Sequence, residues 1–276
     1  MLSSSSRSLS SLLRPLRRGM ATKAAVGGAG TAVGAALLAK LAQGALGELE
    51  LKATSAAPLP PPSGAIKSLS SASSASALLS EAKLAILLEG TPAEFQAAGK
   101  ALAPGAIVGV MGATNALIVA SAAGEGKTVT AISKVAQAAG EAVLAAQGSS
   151  ISNVIAWGDG VVDVSHATVD GKWALSLTDN ALPATTPASP EAAADAIISH
   201  MKDLVNGTGG AWTSMGVPAV GDFGTGTGIF YSVPVVCEGG TYKRVGGISL
   251  APEVAEAMEK ARVALLAEKE GVKQYL

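Results

Sequence analysis

Lys23-Ala-Ala-Val26, Gly27-Gly28-Ala-Gly30 and Thr31-Ala-Val-Gly-Ala-Ala-Leu37-Leu38-Ala-Lys-Leu41 follow one another without interruption. The first is a short apolar run, the second a glycine turn, the third a sequence of good helix formers. Strand, glycine turn and helix in that order open a dinucleotide-binding βαβ unit. Bare backbone at the turn lets N–H groups and the positive end of a helix meet a pyrophosphate. Any tight strand-to-helix connection also favours glycine there, so the motif alone does not fix a ligand.

Working outward, Glu48-Leu-Glu-Leu-Lys52-Ala alternates and reads as the second strand. Ala57-Pro-Leu-Pro-Pro-Pro62-Ser-Gly is a loop that proline keeps out of helix. Ser68 to Ser80 is weakly specified, either a poor helix or a mobile segment. Lys83 to Leu88 and Ala106 to Met111 are apolar runs of buried-strand length, and Thr91-Pro92-Ala-Glu94 carries helix-start signals between them. Strands alternating with helices predict a parallel sheet with crossovers. Gly105 to Ala123 is uncharged, but Gly109, Gly112, Thr114 and Asn115 suit a strand–turn–helix better than a membrane span. Thr128 to Gln147 reads as one long helix, and Asn153 to Trp157 as a further strand.

After about residue 158 the pattern changes to hairpins flanked by helices. Ser189-Pro190-Glu191 starts a helix that Asn206-Gly207 stops. Glu238-Gly-Gly240 lies between two strand patterns and signals a hairpin. Pro252-Glu253 starts a last helix with Val254, Met258, Ala261, Leu265 and Leu266 on one face.

Composition narrows the classes. The chain has 276 residues, enough for a sizeable core. Its formal net charge is −1, with no basic cluster interleaved with aromatics, which argues against a nucleic-acid partner. The first 20 residues, with Arg7, Arg14, Arg17 and Arg18 among Ser and Leu and no acid before Glu48, read as a transit peptide. A mitochondrial destination on the matrix side is expected, with a plastid as the alternative. A single cysteine, Cys237, excludes an internal disulfide and a cysteine-built metal site, and reads as a core filler.

Several runs then occur in a recognisable order: Asn153-Val-Ile-Ala-Trp157-Gly158, Asp163-Val-Ser-His166-Ala, Trp212-Thr-Ser-Met215-Gly-Val, Gly228 to Cys237 and Tyr242 to Leu250. Together they resemble the malate dehydrogenases of the cytosolic type, from Lys23 onward. The resemblance implies an α/β fold, with a Rossmann-type domain over 21–157 and an α+β lactate/malate dehydrogenase C-terminal domain over 158–276. It implies NAD or NADP as cofactor, with Gly27, Gly30 and Thr31 at the phosphate turn and Asn115 near the nicotinamide. Lys52 stands at or beside the place where the family carries the aspartate that accepts the ribose hydroxyls.

The chemistry of the family departs from this sequence. Oxidising a 2-hydroxy acid needs a base for the hydroxyl proton and arginines to grip a carboxylate. The family's base, a histidine, falls at Gly160, and several following residues are missing. On a helix matched to Val129–Gln137, Thr130 replaces the aspartate that orients the base and Ser133 replaces an arginine. The arginine-bearing loop after Leu88 is cut to Glu89-Gly-Thr-Pro-Ala-Glu-Phe. Asp163 and His166 read as extended chain on opposite faces, and His200 reads as a surface or helix-end histidine. Gly124-Glu-Gly-Lys127-Thr128 lacks the first glycine of a P-loop.

The expected catalytic residues are therefore none. The leading expectation is a malate dehydrogenase-like pseudoenzyme that partners other proteins in a mitochondrial assembly, or itself as a homodimer. The alternatives are an NAD(P)-dependent dehydrogenase with relocated groups and a nucleotide-sensing module.

Overall fold

The computed structural model describes residues 21–55, 58–174, 181–182 and 187–276. The expected transit peptide lies outside the described residues. The amino-terminal part runs β1 (Thr22–Gly27), α1 (Ala32–Ala42), β2 (Leu49–Ala53), β3 (Ile66–Ser71), α2 (Ala75–Leu79), β4 (Leu84–Leu87), α3 (Pro92–Ala101), β5 (Ile107–Val110), α4 (Ala113–Ala123), β6 (Thr128–Ala131) and α5 (Lys134–Leu144). The remainder runs β7 (Ile151–Ser152), β8 (Ile155–Trp157), β9 (Val161–Asp163), β10 (Thr168–Val169), β11 (Lys172–Trp173), β12 (Ala181–Leu182), α6 (Pro190–Asn206), β13 (Thr213–Val220), β14 (Thr227–Glu238), β15 (Thr241–Arg244) and α7 (Pro252–Val272).

Burial explains the strand sequences. All four residues of β4 and of β5 are buried, as central parallel strands covered on both faces require. In β2 only Leu49, Leu51 and Ala53 are buried, and Glu50 between them faces out. Strands β3-β2-β1-β4-β5-β6 pair in parallel, the doubly wound order. The sheet does not stop there. β13 joins β6 antiparallel at Gly216 opposite Ala131, and β14 and β15 follow, giving nine strands in all.

Local signals act where the sequence places them. Thr91 and Glu94 form a complete capping box around Pro92, which satisfies two orphan amides of α3. Gly207 ends α6 with φ of 87°. Gly239 and Gly240 both take left-handed φ in the two-residue turn between β14 and β15, the backbone a tight hairpin needs. In α7, Val254, Met258 and Leu265 are buried. Among the described residues no helix is long and apolar enough to cross a membrane.

Two readings are corrected. Thr128 to Gln147 is not one helix: β6 occupies Thr128–Ala131 and α5 starts only at Lys134. Thr128, Val129, Thr130 and Ile132 are β-branched and favour a strand, and the alanine-rich α5 behind them masks so short an element. Ser68 to Ser80 is neither a single poor helix nor shapeless. Its first part completes β3, the outer parallel strand, and Ser74 caps the short α2 through the Ala77 amide. An edge strand with only Ile66 buried gives little hydrophobic pattern to read.

Candidate functional site

The strand order reverses between β1 and β4, so the crevice beyond their carboxyl ends is where a doubly wound sheet takes ligands. The turn after β1 lies there. Gly28 has φ of 81° and Gly34 is buried in the first turn of α1. A Cβ on Gly34 would stand 2.3 Å from the Gly28 carbonyl oxygen, so only glycine lets helix and turn approach this closely. Thr31 caps α1: its hydroxyl accepts from the Gly34 amide at 2.9 Å and donates to the Gly28 carbonyl at 2.9 Å.

The expected residues Gly27, Gly30 and Thr31 are thus gathered at this turn, in unequal roles. Gly27 ends β1 against the Leu87 side chain, and Gly30 is exposed at the tip. Gly28 and Gly34 carry the conformational demand. The spacing of six residues between those two was the signal in the sequence.

The ribose end differs from the expectation. Lys52 points away from the turn, into a small hollow it shares with Lys23 and Glu81, 4.0 Å from the Glu81 carboxylate. The residue that meets the turn is Thr54. Its hydroxyl accepts from the Gly28 amide at 3.1 Å and its carbonyl accepts from the Ala29 amide at 2.9 Å. Two amides that could face a phosphate are thereby engaged within the protein. No carboxylate from β2 stands at the turn to accept ribose hydroxyls. Instead the exposed Glu89, from the chain after β4, lies over Gly28, with its Cγ 2.7 Å from where a Cβ would be.

Asn115 sits in the first turn of α4, two strand spacings from β1, about 10 Å. Its amide group folds back and donates to the Met111 carbonyl at 2.9 Å. Two carboxylates converge on the same helix end. Asp159 accepts from the Ala113 amide, the place a helix N-terminus offers to an anion. Glu268 of α7 accepts from the Thr114 hydroxyl at 2.5 Å. Desolvation, then the charge of Glu268, raises the Asp159 pKa, and the Ala113 hydrogen bond opposes them. Asp159 remains open to solvent.

Gly158-Asp159-Gly160 is the whole connection between β8 and β9, which pair antiparallel with Trp157 opposite Val161. Gly158 has φ of 61° and Gly160 of 119°. A Cβ on Gly158 would stand 2.8 Å from the Ala261 side chain of α7. Just beyond, Asp163 is fully buried and works as a structural acceptor. Its carboxylate takes the Trp157 indole N–H at 3.0 Å, the Ser165 amide at 2.8 Å and the Ser165 hydroxyl at 2.6 Å.

Both histidines stand apart from this cluster. The chain turns after Asp163, so His166 comes back to 4.0 Å from that carboxylate, not to an opposite face. It lies at the far end of β9 from Gly160, about 10 Å along the strand. His200 is no surface residue. It is fully buried in the middle of α6, shares a 2.9 Å hydrogen bond with Thr130, and has no partner at Nδ1 among the described residues. Desolvation, with the charge of Lys134, lowers its pKa to about 3, so the ring is neutral. Thr130 therefore lies inside β6 and not on a helix, and Ser133 is the residue before α5.

Neither described arginine is available to grip a substrate. Arg244 is clamped to both Asp222 oxygens at 2.9 Å, and Arg262 to both Glu259 oxygens. Cys237 is buried and its thiol pKa is pushed up to about 12 by desolvation, which makes it inert.

Residues 180–276 match the lactate/malate dehydrogenase α/β C-terminal domain. The chain superposes on malate dehydrogenase from Naegleria fowleri at 25% identity, with a TM-score of 0.78, covering 93% of this chain and 99% of that one. Its carboxyl-terminal third thus carries the lactate/malate dehydrogenase C-terminal domain, and its fold is that of the malate and lactate dehydrogenases. It is also similar in fold to Trichomonas vaginalis lactate dehydrogenase in complex with NADH and oxamate (20% identity, TM-score 0.75, 92% and 99% covered). A third similar structure is Plasmodium falciparum malate dehydrogenase in complex with NADH (13%, 0.70, 92% and 99%). The Rossmann-type sheet and the lactate/malate dehydrogenase C-terminal domain are thus both present.

A dinucleotide fits this lactate/malate dehydrogenase scaffold only in part. The turn keeps its shape at Gly28 and Gly34, but its Gly28 and Ala29 amides are spent on Thr54. The ribose end has no acceptor from β2, and the helix end beside Asn115 carries two acids.

Proposed function

We propose that this protein is a malate dehydrogenase-like pseudoenzyme, a structural or accessory subunit of a mitochondrial assembly. The observation that carries the reading is the Gly158-Asp159-Gly160 turn. The base would fall at Gly160, whose φ of 119° an L-histidine adopts only under strain. The middle residue of the turn spends its carboxylate on the α4 amide, where a dicarboxylate substrate would need positive charge. General acid–base catalysis contributes roughly 10²–10⁴ in rate, and the carboxylate clamp and water-excluding loop add orientation beyond that. With all three missing, the scaffold has no route to hydride transfer from malate.

The serine-, leucine- and arginine-rich segment 1–20 supports import into mitochondria. Purified protein is expected to show no malate–oxaloacetate turnover with NAD(H) or NADP(H), and measurable turnover would sink the proposal. Purification of the native protein from isolated mitochondria should bring partner subunits with it. Recovery only as a free monomer removes the assembly role.

A second reading, nucleotide sensing without turnover, draws on the Gly28–Gly34 turn. Calorimetry with NAD(H) and NADP(H) separates the two: millimolar ligand without heat of binding dismisses it. A dehydrogenase with relocated groups would need a histidine beside Asn115, and His200 is instead sealed against Thr130.

A further inference from the structure

On the opposite edge of the sheet from the phosphate turn, the carboxyl-terminal half of α4 bridges a hollow of about 330 Å³. Val129, Pro218, Phe230 and the ring of Tyr242 give it an apolar floor, Ala120 and Ala123 of α4 form one wall, and Thr128 and Thr241 add polar groups to the lining. The one charged residue in its lining is Lys127. Its ammonium is half-buried and donates to the Ala123 carbonyl at 2.6 Å, at the negative end of α4. Among the described residues no carboxylate lies within ion-pairing distance of it. An ammonium carries three donors, so two remain for a ligand.

Part-buried charge without a counter-ion is costly, and an anion entering the hollow would relieve that cost. Ligand sites are mostly apolar concavities of roughly 300–1,000 Å³ with a few placed polar groups, and this hollow meets that description. A single cation over an aromatic and aliphatic floor selects one negative charge on an apolar body. We propose that the hollow is a binding site for a small aryl or branched-alkyl monocarboxylate, held by Lys127 over Phe230 and Tyr242. A dicarboxylate is disfavoured, because its second charge would have to lie on the apolar floor. The site shares no residue with the phosphate turn or the Asp159 cluster, so its failure leaves the proposed function standing, and the reverse.

Saturation-transfer NMR and calorimetry with 3-phenylpropionate, on the full chain, provide the test. Saturable binding in about the millimolar range is expected. Replacing Lys127 by Met should weaken it about tenfold or more, the effect of losing one charge-assisted hydrogen bond. Lys202→Met, on the exposed face of α6, should leave it unchanged. The uncharged 3-phenylpropionamide should bind about tenfold more weakly than the acid to the unaltered protein, a comparison that holds even where Lys127→Met fails to fold. Absence of saturable binding, equal binding of acid and amide, or full affinity in folded Lys127→Met overturns the proposal.

Discussion

Two glycine turns reach the same carboxyl edge of the parallel strands, and they are built differently. In the turn after β1, Gly28 takes left-handed φ and Gly34 admits α1. The turn after β8 is only Gly158-Asp159-Gly160, and its central carboxylate lies on α4. What separates them is packing. Gly34 is needed for helix and strand to meet at all, whatever the ligand. The proposed loss of a catalytic histidine from the second turn fits this difference, because a histidine there would meet no packing need. Gly34 stands where the core depends on it.

The comparison breaks most readily at Gly34. Gly34→Ala puts a Cβ within 2.3 Å of the Gly28 carbonyl oxygen, and should cost more than about 3 kcal/mol in urea unfolding. Gly30→Ala, at an exposed tip, should stay within about 0.5 kcal/mol. Equal effects of the two would show that the turn is kept for its ligand and not for packing.

At the other turn the supporting shell is also structural. Asp163→Ala leaves the Trp157 indole N–H and the Ser165 amide unpaired in the core, and should cost about 3 kcal/mol. Intrinsic fluorescence of Trp157 during unfolding would follow it.

His200 offers a comparison in pH. It titrates at about 3 in the fold, against about 6.5 when unfolded. Between those values the unfolded chain binds the extra proton, so stability falls as pH falls. The loss from pH 7 to pH 5 should be about 2 kcal/mol from this residue, read as a shift in the denaturation midpoint. His200→Leu should flatten that part of the profile. An unchanged slope would show that the ring is hydrated and charged in the native protein.

A smaller destabilisation than at Gly34 or Asp163 is expected at the turn after β8 itself. Gly160→His should cost about 1–2 kcal/mol through backbone strain and bring no malate oxidation. Turnover appearing in that single variant would mean the site was only one residue from activity.

Sequence reading reached these regions unevenly, for physical reasons. β1, β4, β5 and the capping box at Thr91 are specified by local chemistry and were legible. β6 was not, because a four-residue strand in front of an alanine-rich helix has too little pattern of its own. His200 was misplaced because α6 places it on the apolar side among Ala196, Ile197 and Met201, where only the tertiary partner Thr130 accommodates an imidazole. Lys52 stood near the right place in the chain, yet it lies inside β2 beside Glu81, and Thr54, just past the strand end, is the residue that reaches the turn. The spacing of Gly28 and Gly34 was visible, but the closeness that makes both necessary appears only when α1 meets β1.

Gly216 lies opposite Ala131 where β13 meets β6. A Cβ there would stand 2.4 Å from the Ala131 side chain, so the join between the parallel and antiparallel strands admits no spacer. One apolar core runs under both sides of that single pairing, from Val26 and Ile86 to Met215 and Val233, and opening the join would expose it. Heating should therefore not peel one side away before the other: the sheet gives way as a single cooperative unit.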